Sequence, residues 1–151
     1  ARNLAERLDK QKYLVVYKAH GSETWSEEEI RHAEETGNLQ IMIGGLDIRE
    51  VIELSDIVVG VRSSGIFDAL PYSMVKVIAV RDKAENFSEA RPNEILQEVV
   101  DKGDVLMVED EGELYQEVLG YKRGIMYRDK VNSFWPVDAA EKFRALVDSY
   151  L

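Results

Sequence analysis

The sequence predicts an α/β fold, a three-layer sandwich in which a mainly parallel sheet of about five strands is covered by helices on both faces. Three observations predict it. Short runs such as "DIVVGV" and "VKVIAV" are apolar almost throughout, which is typical of strands buried on both faces. These runs alternate with segments that carry apolar residues at helical spacing. Serine or aspartate followed three residues later by glutamate opens two of those segments, as in a helix capping box.

The first elements follow from these patterns in chain order. Apolar residues at helical spacing predict a helix over residues 2–11, and "KYLVVYK" from Lys12 predicts a strand. Ser26 and Glu29 have the spacing of a capping box, which opens a helix that should end at Gly37. The strand "LQIMI" comes next.

The later elements repeat this order. Asp47 and Glu50 have the capping spacing and predict a helix through about Leu54, and the strand "DIVVGV" follows it. The remaining elements are a helix from Ser64, a strand "VKVIAV", a helix from Pro92 to about Lys102, a strand "DVLMV", and the helices "GELYQEVL" and "DAAEKFRALVDSYL". Residues 120–136 have no such pattern. We interpret them as a solvated loop pinned by Trp135, with the lining of a cleft as the alternative.

Length and composition limit the function. The chain has 151 residues, so we expect a single domain over residues 1–151 that is a piece of a larger protein. A formal net charge of −10 argues against binding to nucleic acid or to an anionic membrane surface. No apolar run reaches the length of a membrane span. The chain has no cysteine, and its two histidines are too few for a histidine-based metal cluster unless carboxylates supplied the remaining ligands, so we expect no metal. We also expect no cofactor.

The strongest candidate site follows the strand "DIVVGV". Ser63, Ser64 and Gly65 stand where that strand ends and a helix begins, and Asp68 lies one turn further on. Ligands of open α/β sheets bind beyond the carboxyl ends of the strands, where helix N-termini present unpaired N–H groups. Hydroxyls and amides there can bind a phosphate, and Asp68 can accept hydrogen bonds from sugar hydroxyls. A plain helix N-cap is the alternative interpretation of the serines.

A second group of donors follows the first predicted strand. Lys18 and His20 come at its carboxyl end, and Arg62 precedes the two serines. In a single parallel sheet, Lys18 and His20 would lie on the same edge as Ser63. These cations would offset the negative net charge locally and bind an anion. The alternative is that His20 only satisfies a loop carbonyl.

These motifs resemble a known family. A strand ending in Lys-x-His and a later strand leading into Ser-Ser-Gly-Ile-Phe-Asp are similar to the C-terminal, donor-binding half of GT-B-type transferases. The similarity is to CDP-glycerol glycerophosphotransferases and capsular polysaccharide glycosyltransferases, and UDP-N-acetylglucosamine 2-epimerase shares the fold. It covers roughly residues 12–80 by motif. Gly21 stands where the family usually has proline. The resemblance does not specify which nucleotide is bound or which group is transferred.

The resemblance implies roles for individual residues. Ser63, Ser64 and Gly65 would hold the donor diphosphate, Asp68 would contact the sugar or ribose, and His20 would lie beside the diphosphate. The domain would be the Rossmann-like half of a two-domain enzyme of cell-surface polysaccharide synthesis and would bind a nucleotide-activated donor. Without the other domain it would bind this donor but would not catalyse the transfer. The acceptor-binding N-terminal domain would be its partner. We expect a cytoplasmic location, with peripheral attachment to the membrane as an option for the longer protein.

Two other function classes stay open. A nucleotide-sugar epimerase would need further carboxylates directed at the sugar, and Ala69 stands where a second acid could follow Asp68. A non-catalytic Rossmann-like binding module would use the serines only as caps. Other enzyme classes lack their motifs, since the chain has no Gly-x-Gly-x-x-Gly, no Walker-type Gly-Lys-Ser/Thr and no Gly-x-Ser-x-Gly.

Overall fold

The computed structural model describes residues 1–20, 22–44, 47–61, 65–81 and 92–128. Helices and strands alternate along these residues in the predicted order. The predicted terminal helix and the part of the unassigned segment after Arg128 lie outside the described residues. The elements are α1 (Arg2–Arg7), β1 (Val15–Lys18), α2 (Glu27–Glu34), β2 (Leu39–Met42), α3 (Ile48–Glu53), β3 (Ile57–Gly60), α4 (Gly65–Ala69), β4 (Lys76–Val80), α5 (Pro92–Asp101), β5 (Leu106–Val108) and α6 (Glu111–Leu119).

The strands form two parallel sheets, one in each of two compact units. The first unit ends at Glu50, and in it β1 pairs with β2 in parallel. The second begins at Val51, and in it β3, β4 and β5 pair in parallel in that order. The mixed α/β class is therefore confirmed. The prediction of one sheet of about five strands is wrong for the described residues, because an apolar run identifies a strand without specifying which edge it pairs with.

The first unit packs α1 and α2 against its two strands. Ala5, Ala33 and Leu39 are buried, and half-buried side chains from β1, β2 and the β1–α2 loop pack against them. Asn38, which is buried, donates from its side-chain amide to the carbonyl of Ala5 at 3.0 Å. The main-chain carbonyl of Asn38 accepts a hydrogen bond from the main-chain amide of Val15 at 2.7 Å. One residue thus joins α1, β1 and the start of β2.

The predicted capping box of α2 is present. The Ser26 hydroxyl accepts from the amide of Glu29 at 3.2 Å, and the Glu29 carboxylate accepts from the amide of Ser26 at 2.8 Å. After the helix, Gly37 has φ of 82°, a left-handed conformation that side chains with a Cβ rarely adopt. Both ends of this helix are therefore set by local sequence, as predicted.

The second unit is organised around β4. Val77, Ile78 and Ala79 are buried in the middle of this strand, which has a neighbour on each side. Two residues of α4, Ile66 and Ala69, are also buried and anchor that short helix. Further buried side chains come from the other elements of the unit: Ile52, Leu70, Val75, Val99, Val105, Val108, Leu114 and Val118.

Arg128 is the main polar residue of this core. Its side chain is buried, and its guanidinium donates to five main-chain carbonyl oxygens, those of Ala69, Leu70, Tyr72, Val75 and Asp104. These carbonyls belong to the end of α4, the turn that leads into β4 and the approach to β5. Burial lowers the pKa of Arg128 and the charge of Asp104 opposes this effect, but a guanidinium stays protonated in proteins.

The segment that reaches Arg128 contacts the residues that precede β3 and β4. Tyr121 and Tyr127 stack with ring centroids 5.7 Å apart, and the amide of Tyr127 donates to the carbonyl of Ser73 at 2.9 Å. The Tyr121 hydroxyl donates to the Asp56 carboxylate at 3.0 Å. Burial, followed by this contact with Asp56, raises the pKa of Tyr121 to about 12. Residues 120–128 are therefore held by specific contacts to the residues before β3 and β4.

We predict that Arg128→Met destabilises the protein by on the order of 3 kcal/mol, measured as the free energy of unfolding in urea. Methionine keeps much of the side-chain volume but removes every donor, so that all five carbonyls lose the hydrogen bond from the guanidinium, although those of Ala69 and Tyr72 also accept from main-chain amides. Arg128→Lys keeps the charge with fewer donors and should give an intermediate loss. Arg123→Met is the matched control, because the Arg123 side chain is 90% exposed. Equal losses in Arg128→Met and Arg123→Met would contradict the prediction.

Candidate functional site

The strand–loop–helix unit predicted as an anion site is present in the second unit. β3 ends at Gly60, and α4 begins at Gly65. Gly65 is buried at the first position of the helix, and Asp68 is half-buried in its first turn. Arg62, Ser63 and Ser64 lie outside the described residues, so that their role in binding a phosphate stays a prediction.

Arg128 holds the C-terminal end of α4, the end opposite to Gly65. The carbonyls of Ala69 and Leu70, at the C-terminal end of the helix, accept from the guanidinium at 3.3 and 3.2 Å. A cation at that position also complements the helix dipole. Because α4 has five residues, fixing its C-terminal end together with buried Ile66 also fixes Gly65 and Asp68. The buried core therefore positions the two described residues of the candidate site.

Lys18 and His20 follow β1 in the first unit. Lys18 is half-buried at the last position of the strand, and its ammonium donates to the carbonyl of Ala19 at 3.4 Å. His20 is exposed in the loop that follows. We predicted that both residues lie on one sheet edge with Ser63. Among the described residues β1 pairs in one sheet and β3 in another, and Ser63 lies outside these residues, so that this placement stays a prediction.

Glu23 organises the loop that carries His20. Its carboxylate accepts hydrogen bonds from the Tyr17 hydroxyl at 2.9 Å, the Trp25 indole N–H at 3.0 Å and the His20 amide at 3.1 Å. The rings of Tyr17 and Trp25 lie 5.7 Å apart and are tilted by 54°. The sequence analysis missed Glu23, because its three donors do not share a recognisable spacing.

The pKa values of this loop reflect the same contacts. The indole N–H of Trp25, followed by the amide of His20 and the hydroxyl of Tyr17, lowers the pKa of Glu23. Burial, followed by the hydrogen bond to Glu23, raises the pKa of Tyr17. Glu23 therefore stays ionised, and Tyr17 stays protonated, over the physiological range. The loop is held by a charged acceptor with several neutral donors.

The first unit also has a cleft of about 460 Å³, whose lining residues are Ala1, Arg2, Tyr17, Trp25, Glu29, His32, Ala33, Leu39 and Ile41. This lining is mostly apolar and does not include Lys18 or His20. Within the described ranges, no group of three or more His, Asp or Glu side chains could hold a metal ion. The helices described here are all too short or too polar to cross a membrane.

Comparison of the chain with protein-family models, with curated proteins and with solved structures gave no significant match.

We predict that acidification releases Trp25 from Glu23 at a pH below the pKa of an ordinary glutamate, about 4.3. A depressed pKa means that the carboxylate contacts persist above that range and are lost as the pH falls through the lowered pKa of the folded protein. The measurement is the fluorescence of Trp25 in a Trp135→Phe background, since the chain has two tryptophans. Glu23→Gln should abolish this transition. A midpoint at or above the ordinary value, with circular dichroism unchanged, would contradict the assignment.

Proposed function

We propose that this chain is the donor-binding domain of a GT-B-type transferase, which binds a nucleotide diphosphate that carries a sugar or glycerol phosphate. The wider proposal is a Rossmann-like domain that forms one half of a two-domain enzyme of cell-surface polysaccharide synthesis. The observation that carries it is the β3–α4 unit, in which a parallel strand leads into a helix that starts at buried Gly65 and has Asp68 in its first turn.

The arrangement suits a diphosphate for physical reasons. A glycine at the first helical position lets a ligand approach the main chain closely. Amides at a helix start and hydroxyls just before it can donate to phosphate oxygens. In a protein with a net charge of −10, such local donors are needed to bind an anion at all. Ser63 and Ser64, which precede Gly65 in the sequence, would supply these hydroxyls.

Transfer from such a donor requires mainly that the leaving diphosphate be stabilised as its negative charge develops. Donors that are already oriented before the reaction provide this stabilisation most effectively. Gly65 and the serines would bind the diphosphate, while Asp68 would accept hydrogen bonds from sugar or ribose hydroxyls and orient the donor. The acceptor and the catalytic base would come from the partner domain.

We predict that the Ser63→Ala/Ser64→Ala double variant abolishes binding of CDP-glycerol, UDP-sugars and GDP-sugars while the fold persists. Binding is measured by calorimetry and by the NMR shifts of amides 62–68 in the wild-type protein. If the serines are only a helix cap, the variant should lose about 0.5–2 kcal/mol of stability. It would then bind these ligands as well as the wild type does. The proposal is rejected if no nucleotide shifts amides in that range.

We predict that Asp68→Asn weakens donor binding roughly tenfold, because the amide accepts hydrogen bonds less strongly than a carboxylate does. The matched control is Glu28→Gln, which removes one negative charge from an exposed position on α2. Both variants change the net charge equally, so that a general electrostatic effect would strengthen anion binding in both. A similar affinity in the two variants would argue against a direct contact of Asp68 with the donor.

A further inference from the structure

The cleft of the first unit has two aromatic side chains in its lining, Tyr17 of β1 and Trp25 just before α2. Both are half-buried, and their ring centroids lie 5.7 Å apart with the rings tilted by 54°. Aromatic pairs at such a distance and tilt pack in direct contact. The two rings therefore form one continuous wall of the cleft.

One carboxylate holds the polar ends of both rings. The Tyr17 hydroxyl and the Trp25 indole N–H donate to Glu23 at 2.9 and 3.0 Å, and Glu23 lies outside the cleft lining. The polar groups of the two rings are thus satisfied by Glu23, and their carbon surface is left to line the cleft. Because the rings are already fixed, they lose little conformational freedom when a ligand binds, which favours affinity.

The rest of the cleft lining includes apolar side chains of the first core. Ala33 and Leu39 are buried, and the half-buried Ile41 packs against them. The volume of about 460 Å³ falls within the roughly 300–1,000 Å³ of small-molecule sites. Since a cavity of about 150 Å³ can hold one benzene ring, the cleft has room for a ligand of about two fused rings.

The charged groups at this cleft disfavour a negative ligand. Arg2 pairs with the Glu6 carboxylate at 2.9 Å, and the His32 imidazole lies 2.9 Å from the carboxylate of Glu35. The Glu29 side chain also lines the cleft. The carboxylates in and next to the lining thus outnumber the basic side chains, so that an anion would meet repulsion at short range.

We propose that this cleft is a binding site for a small molecule that has a planar aromatic ring system and no negative charge. The ligand packs on the wall formed by Tyr17 and Trp25, where aromatic contacts stabilise it beyond the apolar area that it buries. Glu23 is a positioning residue, because it orients both rings from outside the cleft. The inference is independent of the proposed function, since all of these residues belong to the first unit.

The first experiment titrates isotope-labelled protein with naphthol and follows the NMR signals of the Trp25 indole N–H and the Ala33 methyl group. Decalol, the saturated and non-planar counterpart, tests the need for an aromatic ring, and naphthoate tests the effect of a negative charge. We expect naphthol to shift these signals with a Kd on the order of 1 mM or lower. Decalol and naphthoate should bind several-fold more weakly.

Three results of this titration would overturn the inference. The first is the absence of naphthol binding, or shifts spread over both units in place of shifts at the cleft. The second is equal or tighter binding of decalol, which would exclude a site selective for aromatic rings. The third is equal or tighter binding of naphthoate, which would contradict the electrostatic argument.

The second experiment isolates the ring of Trp25 with a matched pair of variants. Trp25→Phe and Trp25→Leu both remove the indole N–H that donates to Glu23, but only the first keeps an aromatic ring. Trp25→Leu should bind naphthol roughly fivefold more weakly than Trp25→Phe does. Circular dichroism confirms that each variant is folded. Equal affinity of the two folded variants would contradict the predicted packing on the wall.

The third experiment tests Glu23 as a positioning residue. Glu23→Ala should move the Trp25 indole N–H signal of the ligand-free protein and weaken naphthol binding roughly threefold. Glu23→Gln keeps one acceptor oxygen and should restore part of the affinity. The control is Glu28→Ala, an equal charge change at an exposed position of α2, which should bind as the wild type does. Equal affinities of Glu23→Ala and Glu28→Ala would reject the role of Glu23.

Discussion

The structure of the second unit depends on one buried cation that satisfies main-chain carbonyls. The end of α4 and the turn before β4 leave carbonyl groups outside the helix and the sheet ladder. Main-chain amides of the turn reach those of Ala69 and Tyr72, and a buried carbonyl without a donor is costly. Arg128 supplies a planar fork of donors that can reach several of these carbonyls at once. It also donates to the carbonyl of Asp104, and so it connects α4, β4 and the approach to β5.

This contact links stability to the candidate site. α4 is too short to be stable alone, since isolated helices of even a dozen residues are marginal in water. Its buried side chains and its C-terminal carbonyls are therefore what orient it, and Asp68 takes its direction from them. The part of the site that the structure describes is thus supported by a residue about sixty positions later in the chain. Such support is typical of sites built on rigid elements.

In the first unit a negatively charged side chain, that of Glu23, orders a surface loop. Glu23 is exposed, and an exposed carboxylate contributes little to global stability. What it provides is local order, because donors from β1 and from both ends of the β1–α2 connection meet at one carboxylate. Arg128 gathers acceptors in a core, whereas Glu23 gathers donors at a surface. In both cases one side chain, and not regular secondary structure, joins groups from different parts of the chain.

The sequence by itself determined the features that depend on near neighbours. Ser26, Glu29 and Gly37 are close in the chain, and their capping and turn contacts form as the spacing predicts. The alternation of strands and helices and the start of α4 after β3 follow from the same kind of pattern. Only the tertiary structure decided the division of the strands between two sheets and the contacts made by Arg128 and Glu23. The physical reason is that hydrogen-bond pairing between distant main-chain groups depends on which edges and side chains meet in space, and periodicity carries no information about that.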